Sequence, residues 1–362
     1  MIFYLNFVLE CEKGVRKKIF FQKKSFETLG MKVKSTEIKN NKIFISKQYV
    51  GKYNCSNNIK GRVLRKINLY LILMKLKNKK IYENIDVLYI RYPRSSIFFL
   101  NYLKFIKKLG IKIILEIPTY PYDMEIKREN IFTRWDKKYR LELYKYVDKI
   151  VTYSNDREIW GIPCINISNG IDLEEVKVIE KKEHTGINFI SVSNCSFWHG
   201  IDRFLYSLLQ YRKNNGKEKI KFHIVGEGSE TPKLKKIVED NIELHDMVIF
   251  HGFKSGEELD NIYNNSDIAL GSLGIHRLKL ESVQPLKNRE YCAKGLPFVI
   301  GFNDPNFKNK EYVYEISYDD GLIDIQKLIK RYQNLKISPE EIRKEAEEFT
   351  WDIQMKKVLD NI

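Results

Sequence analysis

The sequence predicts an α/β fold made of two doubly wound, parallel-sheet halves. Short apolar runs alternate with amphipathic helical patterns along the 362 residues, which is typical of parallel sheets that are covered on both faces. An Asn169-Gly170 pair, a strong turn signal, separates the alternation into two series. The chain is also long enough for two domains, each with its own core.

The first half begins with a strand, a glycine and a lysine-rich helix, the order in which nucleotide-binding halves begin. Gly14 lies at that turn, and a single glycine is a weak signal because many such turns bind nothing. The predicted strands are residues 2–8, 31–38, 86–91, 112–117 and 148–154. The predicted helices are residues 15–29, 59–80, 96–109 and 130–147.

The second half repeats the alternation after a charged, linker-like segment at residues 174–185. Its predicted strands are residues 187–193, 220–225, 247–251, 267–271 and 298–301. Its predicted helices are residues 201–214, 231–240, 256–264, 287–294 and, at the end of the chain, 340–362.

Composition excludes several classes of protein. With 43% hydrophobic and 30% charged residues the chain is globular rather than disordered. Its five cysteines are scattered without a Cys-x-x-Cys pair, which argues against a disulfide framework or a zinc site and for a reducing compartment. Because Glu10 and Glu12 follow the first strand, we expect no signal peptide. Without a run of 18 apolar residues we expect no spanning helix.

The positive charge lies in the first half. Residues 1–170 carry 35 basic and 15 acidic residues, a net charge of +20, whereas the remainder carries 28 and 32, a net charge of −4. A basic half suggests an anionic lipid, a pyrophosphate-linked substrate or nucleic acid as partner. The sequence has no helix-turn-helix, finger or RNA-recognition signature, so we expect no nucleic acid.

Two basic helices could contact a membrane. In residues 59–80, lysines and arginines surround apolar positions, so this helix could lie on a membrane surface or be a core helix with a solvated face. Residues 96–109 mix phenylalanine, tyrosine and lysine. We expect this second helix to be the better candidate for the membrane contact.

The most informative stretch is residues 285–299, Pro-Leu-Lys-Asn-Arg-Glu-Tyr-Cys-Ala-Lys-Gly-Leu-Pro-Phe-Val. Pro285 suits the start of a helix, Gly295 its end, and the last residues a buried strand. A helix start with free N–H groups beside Lys287 can hold phosphate. Glu290, one turn further, can accept hydrogen bonds from sugar hydroxyls. The same residues also fit an ordinary strand–helix–strand unit with solvated charges.

This stretch resembles the nucleotide-sugar site of the group 1 (family 4) GT-B glycosyltransferases. The family has two glutamates eight positions apart, followed by Ala-x-Gly-x-Pro-Val-Val, and Glu290 matches the second, which holds the nucleotide ribose. The first falls on Ser282, with Glu281 one place away. The resemblance therefore leaves the donor sugar and the anomeric outcome open. The turn Asn169-Gly170-Ile171-Asp172 also resembles the family's turn at the end of the first domain.

The resemblance implies further donor-binding residues. In the loop after the first strand of the second half, His199 stands at the position of a phosphate-binding lysine, so we expect a pH-dependent charge there; a structural histidine is the alternative. The remaining implied donor-binding residues are Gly14, Asn194, Gly226, Gly228, Gly252, Phe253, Ser282, Lys287 and Glu290.

For catalysis we expect fixed positive charge at the diphosphate leaving group. Arg277 and Lys287 are the candidates, and because no Asp-x-Asp motif occurs we expect a metal-independent reaction without a cofactor. Asp123, in a stiff loop with Pro118 and Pro121 after a strand, is the acceptor-side candidate. It could instead cap the next helix.

The resemblance implies the GT-B plan, with two Rossmann-like doubly wound domains facing a central cleft. The acceptor domain would be residues 1–170 with a C-terminal helix, about 350–362, crossing back to it, and the donor domain residues 171–349. The implied enzyme moves a sugar from a nucleoside-diphosphate sugar, with a UDP-sugar expected, to a glycan or lipid-linked saccharide in surface polysaccharide (capsule- or O-antigen-like) synthesis. We expect retention of configuration and a cytoplasmic, peripheral position on the anionic inner face of the membrane.

Three alternatives remain at this point. A nucleotide-sugar 2-epimerase would share the architecture and need no acceptor. A basic, non-catalytic nucleic-acid binder would show steeply salt-dependent DNA binding and no nucleotide-sugar binding. A transferase-like scaffold would have lost catalysis together with the first glutamate.

Overall fold

The computed structural model describes residues 1–123 and 129–362, which form two compact units. One consists of Met1–Ser168 with Trp351–Ile362, and the other of Asn169–Thr350. The predicted boundaries, at 170 and about 350, lie next to these. Each unit is an α/β structure around its own sheet.

The first unit is organised around a mainly parallel sheet with the strand order β4-β3-β2-β1-β5-β6-β7-β9-β8. The strands are β1 (Ile2–Leu5), β2 (Val33–Lys39), β3 (Lys42–Ile45), β4 (Gln48–Lys52), β5 (Val87–Arg91), β6 (Lys112–Ile117), β7 (Lys149–Thr152), β8 (Glu158–Ile159) and β9 (Ile162–Asn166). The helices are α1 (Lys13–Thr28), α2 (Ile59–Lys75), α3 (Ile97–Lys108) and α4 (Ile131–Tyr139). Strands β1, β5, β6 and β7 are almost entirely buried, as expected of central parallel strands.

The second unit has a parallel sheet with the order β12-β11-β10-β13-β14-β15. Its strands are β10 (Ile187–Val192), β11 (Ile220–Val225), β12 (Val248–Gly252), β13 (Ile268–Leu270), β14 (Phe298–Ile300) and β15 (Val313–Glu315). Its helices are α5 (Ile201–Lys213), α6 (Thr231–Glu239), α7 (Gly256–Asn264), α8 (Leu286–Lys294), α9 (Ile325–Gln333) and α10 (Pro339–Glu345). The chain builds β10 to β12 on one side and then β13 to β15 on the other.

The last helix, α11 (Trp351–Leu359), belongs to the first unit. Trp351, Met355 and Val358 are buried in the same apolar cluster as Phe26 and Tyr89. The expectation that the C-terminal helix returns to the first domain is therefore confirmed.

The two helices that the sequence offers for a membrane contact differ in which residues they expose. In α3, Phe99 and Tyr102 are fully buried in the core of the first unit, so most of its aromatic surface is not available to a membrane. In α2 an apolar row is exposed instead. The exposed apolar residues of α2 are Ile59, Val63, Leu64, Ile67, Leu71 and Met74. The opposite face of α2 buries Leu69, Ile72 and Leu73.

Candidate functional site

The start of α8 carries a buried cation without a partner. Pro285 precedes the helix in an extended conformation, and Gly295 ends it in the left-handed region at φ 76°. Lys287, in the first turn, has a buried Nζ with no hydrogen-bond partner in residues 1–123 and 129–362. An ammonium group removed from water and left unpaired is costly. An anion bound at this helix start would remove that cost.

The surroundings of Lys287 are electrostatically unusual. Burial lowers the pKa of Lys287 to about 7, with Cys195 acting weakly in the opposite sense. The positive charge of Lys287 contributes in turn to the low pKa of His199. Lys287 therefore lies close to the loop that contains Cys195 and His199, and that loop follows β10.

Two loops of the second unit touch through their backbones. A Cβ on Gly226, whose φ is +102°, would lie 2.0 Å from the carbonyl oxygen of Ser193, and a Cβ on Gly228 would lie 1.6 Å from that of Asn194. Only glycine allows this approach. The Gly228 N–H also donates to the Thr231 hydroxyl at 2.9 Å, which connects the loop to the start of α6.

His199 does not carry the pH-dependent charge that the sequence suggested. Its Nδ1 accepts a hydrogen bond from the Ser196 N–H at 3.0 Å. Burial, and then the charge of Lys287, lowers the pKa of His199 to about 3. The ring is therefore neutral at physiological pH and holds the loop, as in the structural alternative. Of the two residues, Lys287 is the one whose charge is available to a ligand.

Glu290 lies on α8 beside the buried Tyr263 of α7. Burial, and next the charge of Glu290, raises the pKa of the Tyr263 hydroxyl. The adjacent Tyr291 accepts a hydrogen bond from the Val192 N–H at 3.2 Å and donates one to the Leu270 carbonyl at 3.0 Å. Because β10 ends at Val192 and β13 ends at Leu270, Tyr291 holds α8 at the carboxyl ends of these two neighbouring strands. The chain leaves β10 towards one side of the sheet and leaves β13 towards the other. Open α/β sheets bind ligands at such a point.

Gly252 and Phe253 follow β12 on the same sheet edge. Gly252 has φ +65°, and its carbonyl accepts a hydrogen bond from the Gly226 N–H at 2.7 Å. Phe253 is 81% exposed, so its ring is available for stacking. Ser282 is exposed and forms a parallel bridge with Asn303, so no carboxylate occupies the position of the first family glutamate.

The Arg277 side chain is bound to other residues of the second unit. Its guanidinium bonds to Asp202 at 2.9 Å, to Asp320 at 2.6 Å and to the Phe197 carbonyl at 2.6 Å. Two carboxylates and a carbonyl leave little of its charge for a ligand. These contacts favour a structural role over the predicted catalytic one.

The predicted residues of the first unit are also placed by the structure. Asp123 accepts two hydrogen bonds of 2.8 Å from Arg140, and these bonds, with the charge of Arg140, lower the Asp123 pKa. It does not cap α4, because Asn130 does. Gly14 lies in the first turn of α1, and a Cβ added there would meet nothing within 4 Å. Packing within the chain therefore does not require a glycine at this position.

Sequence reasoning missed a buried carboxylate in the first unit. Glu116, at the end of β6, is fully buried and accepts hydrogen bonds from Arg91 at 2.7 Å, Tyr89 at 3.0 Å and Tyr153 at 3.1 Å. Burial opposes its ionisation, but Lys18 and Arg91 outweigh burial and lower the Glu116 pKa. Its position at the carboxyl end of a strand was the available signal.

Two kinds of feature are absent from the described residues, 1–123 and 129–362. No helix there is both long enough and apolar enough to cross a bilayer. No group of three or more histidine, cysteine, aspartate or glutamate side chains is placed to hold a metal ion.

Part of the chain matches the model of a known protein family. Residues 172–309 match the family model "Glycosyl transferases group 1", a range that contains α8 and the loops around Lys287. No curated protein matches the chain significantly.

Solved structures share the fold along the whole chain. A glycosyltransferase from Rickettsia africae aligns with a TM-score of 0.66 and 13% identity, covering 99% of this chain and 97% of that one. The apo lipopolysaccharide outer core galactosyltransferase WaaB aligns with a TM-score of 0.64 and 14% identity, covering 100% and 99%. The pneumococcal O-GlcNAc transferase GtfA in complex with UDP and GlcNAc gives 0.60 and 10%, covering 100% and 98%.

These findings confirm the resemblance and the predicted fold class. The family match over residues 172–309 lies within the second unit, and the solved structures show a fold that this chain shares with glycosyltransferases.

Proposed function

We propose that this chain moves a sugar from a nucleoside-diphosphate sugar to a glycan or lipid-linked saccharide during surface polysaccharide synthesis. One observation carries the proposal. Lys287, in the first turn of α8 at the carboxyl edge of the second sheet, has a buried Nζ with no hydrogen-bond partner among the described residues. A diphosphate gives this ammonium group a partner and accepts hydrogen bonds from the free N–H groups of the helix start.

Two further residues bind the ribose and the base of the donor in this proposal. Glu290, one turn along α8, is placed to accept hydrogen bonds from ribose hydroxyls, and the exposed Phe253 ring offers a surface for the base. We infer a UDP-sugar, in line with the UDP named for the pneumococcal relative.

The leaving group is a nucleoside diphosphate, which gains negative charge as the glycosidic bond breaks. Lys287 and the N–H groups of α8 are already oriented to stabilise that charge. We therefore expect the reaction to proceed without a metal ion. We also expect retention of configuration, with the donor sugar close to Ser282 rather than to a carboxylate.

The acceptor belongs to the first unit in this proposal. That unit carries the excess of positive charge, and the exposed apolar row of α2 is flanked by exposed Lys60, Arg62 and Lys75. A basic amphipathic helix of this kind suits the surface of an anionic membrane. We therefore propose a peripheral position on the inner face of the cytoplasmic membrane, where lipid-linked saccharides are accessible.

The direct test is transfer from a panel of nucleoside-diphosphate sugars to membrane extract. Wild type should give a glycosylated product, Glu290→Ala should give little, and Glu257→Ala, which changes an exposed residue of α7, should behave as wild type. Full activity in Glu290→Ala would refute this site. Conversion of the donor without any acceptor would instead indicate an epimerase.

A further inference from the structure

A cavity lined by charged residues lies in the first unit. Its volume is about 320 Å³, at the lower end of the range for small-molecule sites. It is formed by the loop after β1, the loop after β5 and one face of α2. Its charged lining residues are Glu12, Arg65, Lys66, Arg91 and Arg94.

The position of this cavity follows from the strand order. Strand β1 pairs with β2 on one side and with β5 on the other, so the chain reverses direction across the sheet between β1 and β5. The crevice beyond the carboxyl ends of two such strands is the usual ligand position in an open α/β sheet. Lys287 lies at the equivalent point of the second sheet.

The acidic residues near the cavity are already engaged. Glu116 accepts a hydrogen bond from Arg91, and the Glu12 carboxylate accepts one from the Leu9 N–H at 2.7 Å. Asp136 accepts hydrogen bonds from the Tyr92 and Tyr122 hydroxyls at 2.6 Å each. None of these carboxylates forms an ion pair with Arg65, Lys66 or Arg94.

Those three cations have no carboxylate partner within residues 1–123 and 129–362. Arg65 donates to the carbonyls of Asn54 and Ser56 at 2.9 and 2.7 Å. Lys66 donates to the Pro93 carbonyl at 3.3 Å. Arg94 lies 5.8 Å from the centre of the Tyr122 ring. The lining therefore has an excess of positive charge that carboxylates of the described residues do not neutralise.

The electrostatics of Lys66 agree with this excess. Burial, and next the charge of Arg94, lower the pKa of Lys66 to about 8, against a smaller opposing effect of Asp136. Arg94 also has a φ of +72°, a conformation that costs free energy in a residue other than glycine and that often marks a functional site.

We propose that this cavity binds a phosphate or diphosphate group of the acceptor. The proposal rests on the function proposed above, because it assigns the donor diphosphate to the second unit and leaves this anion site for the other substrate. Charge-assisted hydrogen bonds from Arg65, Lys66 and Arg94 suit such a group. Arg65 and Lys66 lie on α2, whose outer face carries the exposed apolar row, so a diphosphate attached to a lipid fits this position.

Calorimetric titration of the full-length protein with inorganic pyrophosphate tests the site. The test variant is Lys66→Gln with Arg94→Asn, since asparagine tolerates positive φ. The matched control is Lys104→Gln with Lys108→Gln, two exposed residues of α3. The test variant should lose one of two binding events, or weaken it at least about 30-fold, and the control should lose neither. Equal pyrophosphate binding in both variants would overturn the proposal.

A parallel titration with UDP separates this inference from the proposed function. The test variant should bind UDP as wild type does, because the donor residues lie in the other unit. If no variant binds UDP, the proposed function fails even where pyrophosphate binding differs between the variants. If the test variant alone melts at a lower temperature, Lys66→Gln by itself is used, since removal of a desolvated charge should not destabilise the fold.

Titration with farnesyl diphosphate in phosphatidylcholine vesicles distinguishes the two molecules that could carry the phosphate group. Binding at least about 10-fold tighter than that of inorganic pyrophosphate, and lost in the test variant, would identify a lipid-linked acceptor. Equal binding of the two would identify a soluble phosphate-bearing saccharide. Farnesyl diphosphate binding that is unaffected in the test variant would contradict the assignment of the cavity.

Discussion

Arg289 and Asp304 form an ion pair that is completely buried in the second unit. Arg289 Nη1 lies 2.5 Å from Asp304 Oδ2, Arg289 Nη2 lies 3.1 Å from Oδ1, and neither side chain is exposed. Asn288 donates a further hydrogen bond to Asp304 at 3.0 Å. Because Arg289 also bonds to the Pro285 carbonyl, the pair holds the start of α8, next to Lys287.

Replacing Asp304 should therefore destabilise the protein strongly. Asp304→Ala leaves the Arg289 charge buried without a counterion, and breaking a buried pair in this way typically costs about 3–5 kcal/mol. Urea unfolding measures the change. Asp360→Ala, which breaks the exposed pair between Lys356 and Asp360, should change the free energy of unfolding by less than about 1 kcal/mol. Similar effects of the two variants would contradict this view of α8.

Two glycines allow a matched test of the loops. Gly228→Ala places a Cβ against the Asn194 carbonyl, so the loop after β10 must move and nucleoside-diphosphate binding should fall at least about 10-fold. Gly14→Ala has free space and should preserve the melting temperature. Binding and thermal unfolding are measured together for both variants. A selective loss of binding in Gly14→Ala would show that Gly14 contacts the donor, and wild-type binding by Gly228→Ala would refute the loop argument.

Replacement of Glu290 should weaken the binding of UDP more than the binding of inorganic pyrophosphate. If its carboxylate binds ribose, Glu290→Gln should weaken UDP binding by about 10- to 100-fold, as expected for a hydrogen bond to a charged group. The affinity for inorganic pyrophosphate should change little. Calorimetry with both ligands gives the comparison. Equal losses for UDP and pyrophosphate would place Glu290 in a general structural role.

The exposed row of α2 should mediate membrane binding. Ile67→Asp with Leu71→Asp adds charge to positions that are 45% and 47% exposed, so the fold should persist while binding to phosphatidylglycerol vesicles is lost. Ile242→Asp changes a residue of the second unit that is 77% exposed and serves as control. Vesicle sedimentation at low and high salt measures the effect. Unchanged sedimentation of the α2 variant would exclude this face.

The order of helices and strands could be predicted largely from hydrophobic periodicity. The sequence located the central strands and α8, because local patterns decide them. It missed the antiparallel strands β3 and β4, which are joined at Ser46 and Lys47, both with positive φ. Such edge strands are short and half-exposed, so their apolar alternation is weak.

The site was predictable only in part. Lys287 and Glu290 could be chosen because they lie in one continuous segment with a helix start. The partners of Arg277 and Arg289 come from distant segments, and no local pattern reports them. The sequence also could not show that α2 exposes its apolar row while α3 buries its aromatic residues, because that depends on which helix face meets the sheet.

Proton uptake on UDP binding tests the central role of Lys287 most directly. Burial lowers the pKa of free Lys287 to about 7, from an ordinary value of 10.5, so at pH 8.5 the amine is largely neutral. A bound diphosphate raises that pKa and recharges the amine. Calorimetry at pH 8.5 in buffers of different ionisation enthalpy should show uptake of about one proton by wild type and by Lys236→Met, an exposed control, and almost none by Lys287→Met. Equal uptake in all three proteins would contradict the account.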